Sequence, residues 1–535
     1  MRHPSDLPLL PGADRVSSGR TDTPRGSGCG RFLAHGGWHW RTQLVAGGVV
    51  TVVALVATWA QLQFTPNHDA SWYLWAGRRL LEGADLYRTD ILEINPPLII
   101  VLSAGVVWVA DLVRVDQHAA LVLLVGLVCW ASCLCSVCLV VPGRHSAQGF
   151  LGAVAAFAAI TTWALLGIPG YDFGQREHLA SALLLPYAAL SASPQARRRW
   201  PAVEVVGAVA AGIACSLKPQ FVLAFGAIEL ARAPVSPPRW RPLVIVLATG
   251  LSTLVATALM YPAYFTTIVP LARRAYPEYL QFVGDFVSLR SILLLGGSGL
   301  SLALLSRRTR MVWPWTFWWA SVAGYAIYCL QTTGWPYHAL VWKTFFGVTA
   351  GVITLMAFDA WTASNRKVGR SATVAGFLLV ALLSSRVVFK AHRHQTTREF
   401  HDVAQLTATV RQWAPHGEHV AFLSPSLYPA FPSVLLGGAR WGIRYPHLWT
   451  LSIAWKEETV GLSQLADDTR VAIAEDLETR VPAALFVDTR PYRPPLASGV
   501  DILAFFKRSP RFVRAFSHYR LVDRVGGFEV WVRRL

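Results

Sequence analysis

Charge is what this sequence has least of: 15% of its 535 residues are Asp, Glu, Lys or Arg, against about 25% in soluble domains. Long uncharged runs replace it, at Leu44–Ala60, Ala119–Val141, Gly149–Gly167, Leu243–Met260, Trp313–Leu330, Thr344–Phe358 and Ala372–Ser385. Several reach the roughly 20 residues that a helix needs to cross a bilayer. Cysteine is missing from residues 390–535, so that stretch has no internal disulfide. Four of the seven cysteines, Cys129, Cys133, Cys135 and Cys138, share one apolar run, where cysteine serves as a small hydrophobe rather than a metal ligand. No zinc spacing and no Gly-rich phosphate loop occurs, which leaves a nucleotide-sugar donor without a binding element. The Gly/Ser/Pro/Arg-rich residues 1–40 lack the early apolar core of a cleavable signal peptide. They read as a disordered cytoplasmic tail ahead of an uncleaved anchor. The apolar runs also lack the mid-span ionisable groups that ion-coupled transporters use.

The basic residues present decide the topology. The net charge of +18 comes from short clusters between apolar runs: Arg197–Arg199, Arg232/Arg239/Arg241, Arg307/Arg308/Arg310 and Arg366/Lys367/Arg370. These are cytoplasmic loops under the positive-inside rule, not a nucleic-acid surface. The segment Leu98–Ala110 follows Pro96-Pro97 and is short for a span. Were it to cross, every later cluster would face away from the basic tail. Lying on the membrane surface, it lets all of them join the tail. The result is a polytopic α-helical membrane protein of about eleven spans with a cytoplasmic N-terminus. Residues 41–389 form the transmembrane domain, with a long outer loop at 63–117. From residue 390 charge returns and β-like runs appear at His419–Leu423, Ala484–Val487 and Phe528–Val532, so 390–535 read as an extracytoplasmic α/β domain. The absence of any Asn-x-Ser/Thr sequon agrees with a bacterial inner membrane.

The distinctive polar residues fall in the outer loops. The first runs Asn67-His68-Asp69-Ala70-Ser71-Trp72-Tyr73-Leu74-Trp75-Ala76-Gly77-Arg78-Arg79-Leu80-Leu81-Glu82-Gly83, continues through Asp85-Leu86-Tyr87-Arg88 and reaches Glu93-Ile94-Asn95-Pro96-Pro97. Asp69 opens an amphipathic stretch that Gly83 ends, and its plainer reading is a helix N-cap. A second acidic group, Tyr171-Asp172-Phe173-Gly174-Gln175-Arg176-Glu177-His178, follows the third span. There the plainer reading pairs the carboxylates with Arg176 or His178 at a helix start.

An Asp just outside the first span, then Tyr-Leu-x-x-(Gly/Ala)-Arg-x-Leu-x-x-Gly, then a proline pair, resembles the first extracytoplasmic loop of the GT-C superfamily. Protein O-mannosyltransferases and aminoarabinose transferases are relatives within it. The resemblance spans about residues 60–360 in organisation. It implies a glycosyltransferase that takes sugar from a polyprenyl phosphate, with Asp69 as catalytic base and Asp172 and Glu177 at a second acidic site. It also implies two surface helices after Asp69, and cations on the donor phosphate. Many relatives carry Lys before the proline pair where this chain has Asn95, so the cation would come from Arg78, Arg88, Arg176 or Lys218. Each of these also suits an interfacial cation reaching toward water. His68 and Tyr87 in the first loop, and Tyr337 and His338 in Trp335-Pro336-Tyr337-His338, are the substrate contacts it suggests. A membrane-interface anchor is the simpler role for the last pair. An acceptor hydroxyl needs a carboxylate to take its proton, phosphate is a good leaving group, and a single displacement inverts the anomeric centre. The partners implied are membrane lipid, the lipid-linked sugar and an envelope glycan, lipid or protein acceptor. No cofactor is fixed, and a divalent cation is left open. Two other functions fit the same pattern: a lipid-linked glycan polymerase or ligase, and a non-enzymatic flippase of lipid-linked sugars.

Overall fold

A computed structural model describes residues 28–141, 150–193, 201–233, 240–309, 313–364 and 369–534. The tail 1–27, and Arg197–Arg199, Arg239, Arg310, Arg366 and Lys367 of the basic clusters, lie outside the described residues.

Each apolar run becomes a helix. Six are long and apolar enough to cross a membrane. They lie in α1 (Gly28–Gln61), α4 (Gln117–Val140), α9 (Trp240–Met260), α12 (Leu289–Thr309), α14 (Leu340–Ser364) and α15 (Gly369–His394). The other expected spans form shorter helices. α5 (Phe150–Leu166), α6 (Arg176–Ala192), α7 (Pro201–Leu217) and α13 (Trp315–Gln331) have 17 residues each, and α8 (Val222–Arg232) has 11. A helix of 17 residues rises about 25 Å, short of a full hydrocarbon core. Helix α5 is packed among α1, α4, α14 and α15 rather than toward lipid. Helices α10 (Val269–Ala275) and α11 (Val283–Phe286) lie in the 262–290 loop.

The first outer loop holds two helices, α2 (His68–Leu81) and α3 (Leu98–Val113). They pack closely because Gly77 faces Ser103 and Ala104; a Cβ there would come within 2.6 Å of the Ala104 amide nitrogen. Gly83, at φ +85, ends α2 in a conformation that L residues rarely adopt. Helix α3 keeps Ile99, Ile100 and Val107 inward and exposes Val101, Leu102, Trp108 and Leu112.

Beyond α15, helix α16 (Arg398–Trp413) leads into a small sheet. Its strands are β1 (His419–Leu423), β2 (Arg440–Trp441), β3 (Ala484–Asp488), β4 (Tyr519–Val525) and β5 (Phe528–Arg533), ordered β2-β1-β3-β5-β4. β1 pairs in parallel with β2 and β3, while β5 is antiparallel to β3 and β4. Stacked Phe422 and Phe486, 4.2 Å apart, fix the register of the central strands. Helices α17 (Ala430–Gly437), α18 (Leu451–Thr459), α19 (Gln464–Thr479), α20 (Ile502–Lys507) and α21 (Pro510–Phe516) complete the domain. It docks on the outer loop through Phe431 of α17, which meets Trp72 of α2 edge-on at 5.4 Å.

Candidate active site

The local fold at Asp69 departs from the simplest expectation. Asn67, not Asp69, caps α2: its Oδ1 accepts the Asp69 amide N–H at 2.9 Å. Asparagine at the cap places Asp69 in the first helical turn, where the helix dipole favours a carboxylate. The Asp69 carboxyl is thereby released from capping and is 18% exposed.

The two acidic groups meet here. Gln175 Nε2 donates to Asn67 Oδ1 at 2.7 Å and to Asp69 Oδ2 at 3.0 Å. Asn67 Nδ2 donates to Asp172 Oδ1 at 3.2 Å. One amide pair therefore ties Asp69 to Asp172 and puts the loops after the first and third spans on the same face. Burial pushes the Asp172 carboxyl up to about 7, and the charge of Asp69 adds to this. Among the described residues, Asp69 Oδ1 has only the His68 Nε2 within reach, at 3.6 Å. His68 Nδ1 lies 3.3 Å from the Tyr171 hydroxyl.

Glu177 does not pair with Arg176 or His178. Its fully buried carboxylate accepts from Lys218 Nζ at 2.7 Å. Lys218 also donates to Gln331 Oε1 and, at 3.0 Å, to His338 Nε2. All three ammonium protons are thus engaged, and burial pulls the lysine down to about 8. The His338 Nδ1 lies 2.8 Å from Thr333 Oγ1, and burial, then Lys218, holds the imidazole well below its ordinary value. His338 is accordingly neutral and held in place by hydrogen bonds on both ring nitrogens. Tyr337 stacks on Trp335 at 5.8 Å and is buried.

Arg176 is a buried cation with no ion-pair partner in direct contact among the described residues. Its side chain is 4% exposed, and its Nη1 donates to Asn95 Oδ1. Its Nε has no partner, and among the described residues no carboxylate oxygen lies within 4 Å of the guanidinium. Asn95 is the hinge of this arrangement. Its Nδ2 donates to Glu93 Oε1 at 2.6 Å and to the Tyr73 hydroxyl at 3.2 Å, and its carbonyl accepts from the Tyr87 hydroxyl at 2.6 Å. Glu93 is buried, takes a further bond from Trp72 Nε1, and is raised by desolvation. An amide stands between Glu93 and Arg176, so the guanidinium charge remains available to a ligand anion.

The remaining sequence candidates lie apart from these carboxylates. Arg78 makes a two-pronged ion pair with Asp111 at 2.6 and 2.7 Å on the exposed side of α2 and α3. Arg88 is exposed in the turn after α2. Tyr87 props up Asn95 and packs against Tyr261 and Tyr264. Asn67, Tyr73, Glu93, Gln175 and Gln331 were not singled out from the sequence. For Asn67 a signal exists, since Asn just before an amphipathic stretch is a strong cap. For the others, only the tertiary contact reveals the role.

No family model and no curated protein matches the chain. Among solved structures it is similar to ArnT from Cupriavidus metallidurans in a crystal structure bound to undecaprenyl phosphate, at 14% identity and a TM-score of 0.53, covering 90% of this chain and 97% of that one. The apo crystal structure of ArnT gives the same identity and TM-score, with 90% and 96% covered. A cryo-EM structure of the arabinofuranosyltransferase AftD from Mycobacteria aligns at 14% identity and a TM-score of 0.45, covering 91% of this chain and 40% of that one. Over nearly its whole length, then, the chain has the fold of ArnT.

Proposed function

We propose that this protein is an inverting membrane glycosyltransferase that moves one sugar from a polyprenyl phosphate to an acceptor hydroxyl outside the cytoplasm. Asp69 is the base: it takes the acceptor proton as the acceptor oxygen bonds to the anomeric carbon. The bond from that carbon to the phosphate oxygen breaks, and the phosphate leaves with the electron pair. Arg176 receives the phosphate charge, with the Lys218–Glu177 pair fixing the floor beneath it. Asp172 sits beside Asp69 and, with its own carboxyl raised to about 7, leaves the negative charge of the pair on Asp69, toward an oxocarbenium-like centre. We further infer that the N-terminus lies inside and the sheet domain outside, the arrangement that gathers the basic clusters with the N-terminal tail.

The observation that carries this proposal is a partly open carboxylate, Asp69, in the same cluster as a buried guanidinium, Arg176, that has no carboxylate in direct contact among the described residues. A buried cation of that kind fits an anionic ligand. Support comes from the fold shared with ArnT, whose crystal structure holds undecaprenyl phosphate. The test is transfer from radiolabelled polyprenyl-phosphate sugars by the full-length protein in nanodiscs. Asp69→Asn is expected to lower the rate about 10²-fold or more, and Arg176→Gln to weaken donor binding. Undiminished transfer in Asp69→Asn removes Asp69 from the mechanism. Movement of donor lipid across proteoliposomes without a new glycosidic bond would instead favour a flippase.

A further inference from the structure

We propose that His447, supplied by the C-terminal domain, positions the acceptor by hydrogen-bonding a second hydroxyl of the acceptor sugar while Asp69 deprotonates the first. This rests on the transferase reading above and adds the acceptor side to it. The bond changes are those already given; His447 gains and loses no proton.

His447 lies in the loop joining β2 to α18, and that loop is fastened on both sides. Trp441 Nε1 donates to the Tyr445 carbonyl and the Leu448 amide to the Ser424 carbonyl, each at 2.8 Å. These bonds hold the loop to the sheet. The Leu92 amide donates to the Arg444 carbonyl at 2.8 Å, and Trp449 Nε1 donates to the Leu92 carbonyl at 3.2 Å. This second pair holds it to the outer loop that carries Glu93 and Asn95. Four bonds therefore fix the backbone around His447, yet its ring has no hydrogen-bond partner among the described residues. Nδ1 is sealed from solvent and unpaired. The ring as a whole is only partly buried, which leaves Nε2 as its open atom. An imidazole on a fastened loop, with no hydrogen-bond partner among the described residues, is a poor structural element and a good ligand contact.

Its surroundings say which ligand. The titratable groups acting on the ring are Asp69 and His68, and burial keeps it neutral at pH 7, down at about 4. It is thus a neutral hydrogen-bond group and a weak partner for phosphate. Rings from both domains surround His68, one of these two groups. His68 lies 6.0 Å from Tyr171 on the membrane side and 6.3 Å, edge-on, from Tyr428 on the domain side. Aromatic walls with a few neutral polar atoms suit a sugar ring, which offers apolar faces and a hydroxyl edge. The same chemistry serves a sugar borne by a glycolipid or by a lipid-free glycan.

The experiment uses the full-length protein in nanodiscs with radiolabelled undecaprenyl-phosphate mannose and undecaprenyl-phosphate arabinose as donors. The acceptors are the glycolipid fraction and the lipid-free glycan fraction of envelopes from a strain deleted for the gene. His447→Ala is expected to raise the half-saturating concentration of one fraction about tenfold. Donor half-saturation and acceptor-free hydrolysis of the donor should stay within about twofold. His447→Gln, whose amide nitrogen reaches the place of Nε2, should restore most of the loss, and the melting temperature of both variants should match the parent. The fraction that responds identifies the source of the sugar. An unchanged acceptor half-saturation in His447→Ala, or an equal shift in donor and acceptor, overturns the proposal for His447 alone, provided Asp69→Asn abolishes transfer. If Asp69→Asn leaves transfer intact, or neither donor is turned over, the transferase reading falls and this role falls with it.

Discussion

At the scale of single residues, the two acidic positions differ in how their surroundings treat charge, and this can be read in stability. Asp172 is raised from 3.8 to about 7, mainly by burial and then by Asp69. The folded protein holds the Asp172 proton longer than the unfolded chain does. Its contribution to stability is therefore complete below about pH 4 and is lost as pH climbs toward 7. Asp172→Asn, which cannot ionise, should melt with the parent at pH 4 and about 2–4 °C or more above it at pH 8. A parallel fall of both proteins between these values would show that Asp172 is not held in its neutral form. The opposite case is Glu177 with Lys218, a buried pair whose charges need each other. Removing one partner of such a pair costs about 3–5 kcal/mol, while replacing both is far milder. Lys218→Met should lower the melting temperature in detergent sharply, and Glu177→Gln with Lys218→Met should recover much of it. A double variant as unstable as the single one would mean that the pair is not the source of the loss.

At the scale of elements, α2 carries the site because it is held on two sides. Its Gly77 lets α3 approach closely, and its Trp72 and Trp75 take Phe431 of α17 from the other side. Gly77→Val would push α3 away against backbone atoms, not against a flexible side chain. Moving α2 moves Asp69 relative to Gln175, and a shift of about 1 Å in a catalytic group can cost about 10²-fold in rate. The expected result is a folded, membrane-inserted protein with that loss and an unchanged far-ultraviolet spectrum. Near-parental activity would show that the α2–α3 contact does not set the position of Asp69. This element was legible in the sequence because amphipathic period, proline pair and terminal glycine all point the same way. The cap was not: Asn67 and Asp69 both suit that position, and only the bond from the Asp69 amide decides between them. Arg78 matched a motif, yet its fork closes on Asp111 across the α2–α3 pair. His447 has no local signal at all, since its role depends on how the sheet domain docks.

At the scale of the whole molecule, charge distribution and domain docking make one statement about sidedness. The interface between the outer loops and the sheet domain is built from specific polar contacts. Arg274 pairs with Glu457, Lys456 with Glu278, and Arg480 donates to the Asp90 carbonyl at 3.1 Å. Loops after the first span, within 262–290 and in the C-terminal domain must therefore share one side of the membrane. Under the topology proposed above, the basic residues at the opposite ends of the same helices, such as Arg241 at the start of α9, lie on the other. Single cysteines at Arg88, Tyr492 and Arg241 test this, since the first two side chains are exposed at the outer loop and the sheet domain and the third at the far end of a long apolar helix. An impermeant maleimide applied to spheroplasts should label Arg88→Cys and Tyr492→Cys directly, and Arg241→Cys only after permeabilisation. Labelling of 88 and 241 from the same side would mean that α3 crosses the bilayer. That would move Asp69 away from Asp172 and Arg176, and no common pocket could then hold both donor phosphate and acceptor hydroxyl.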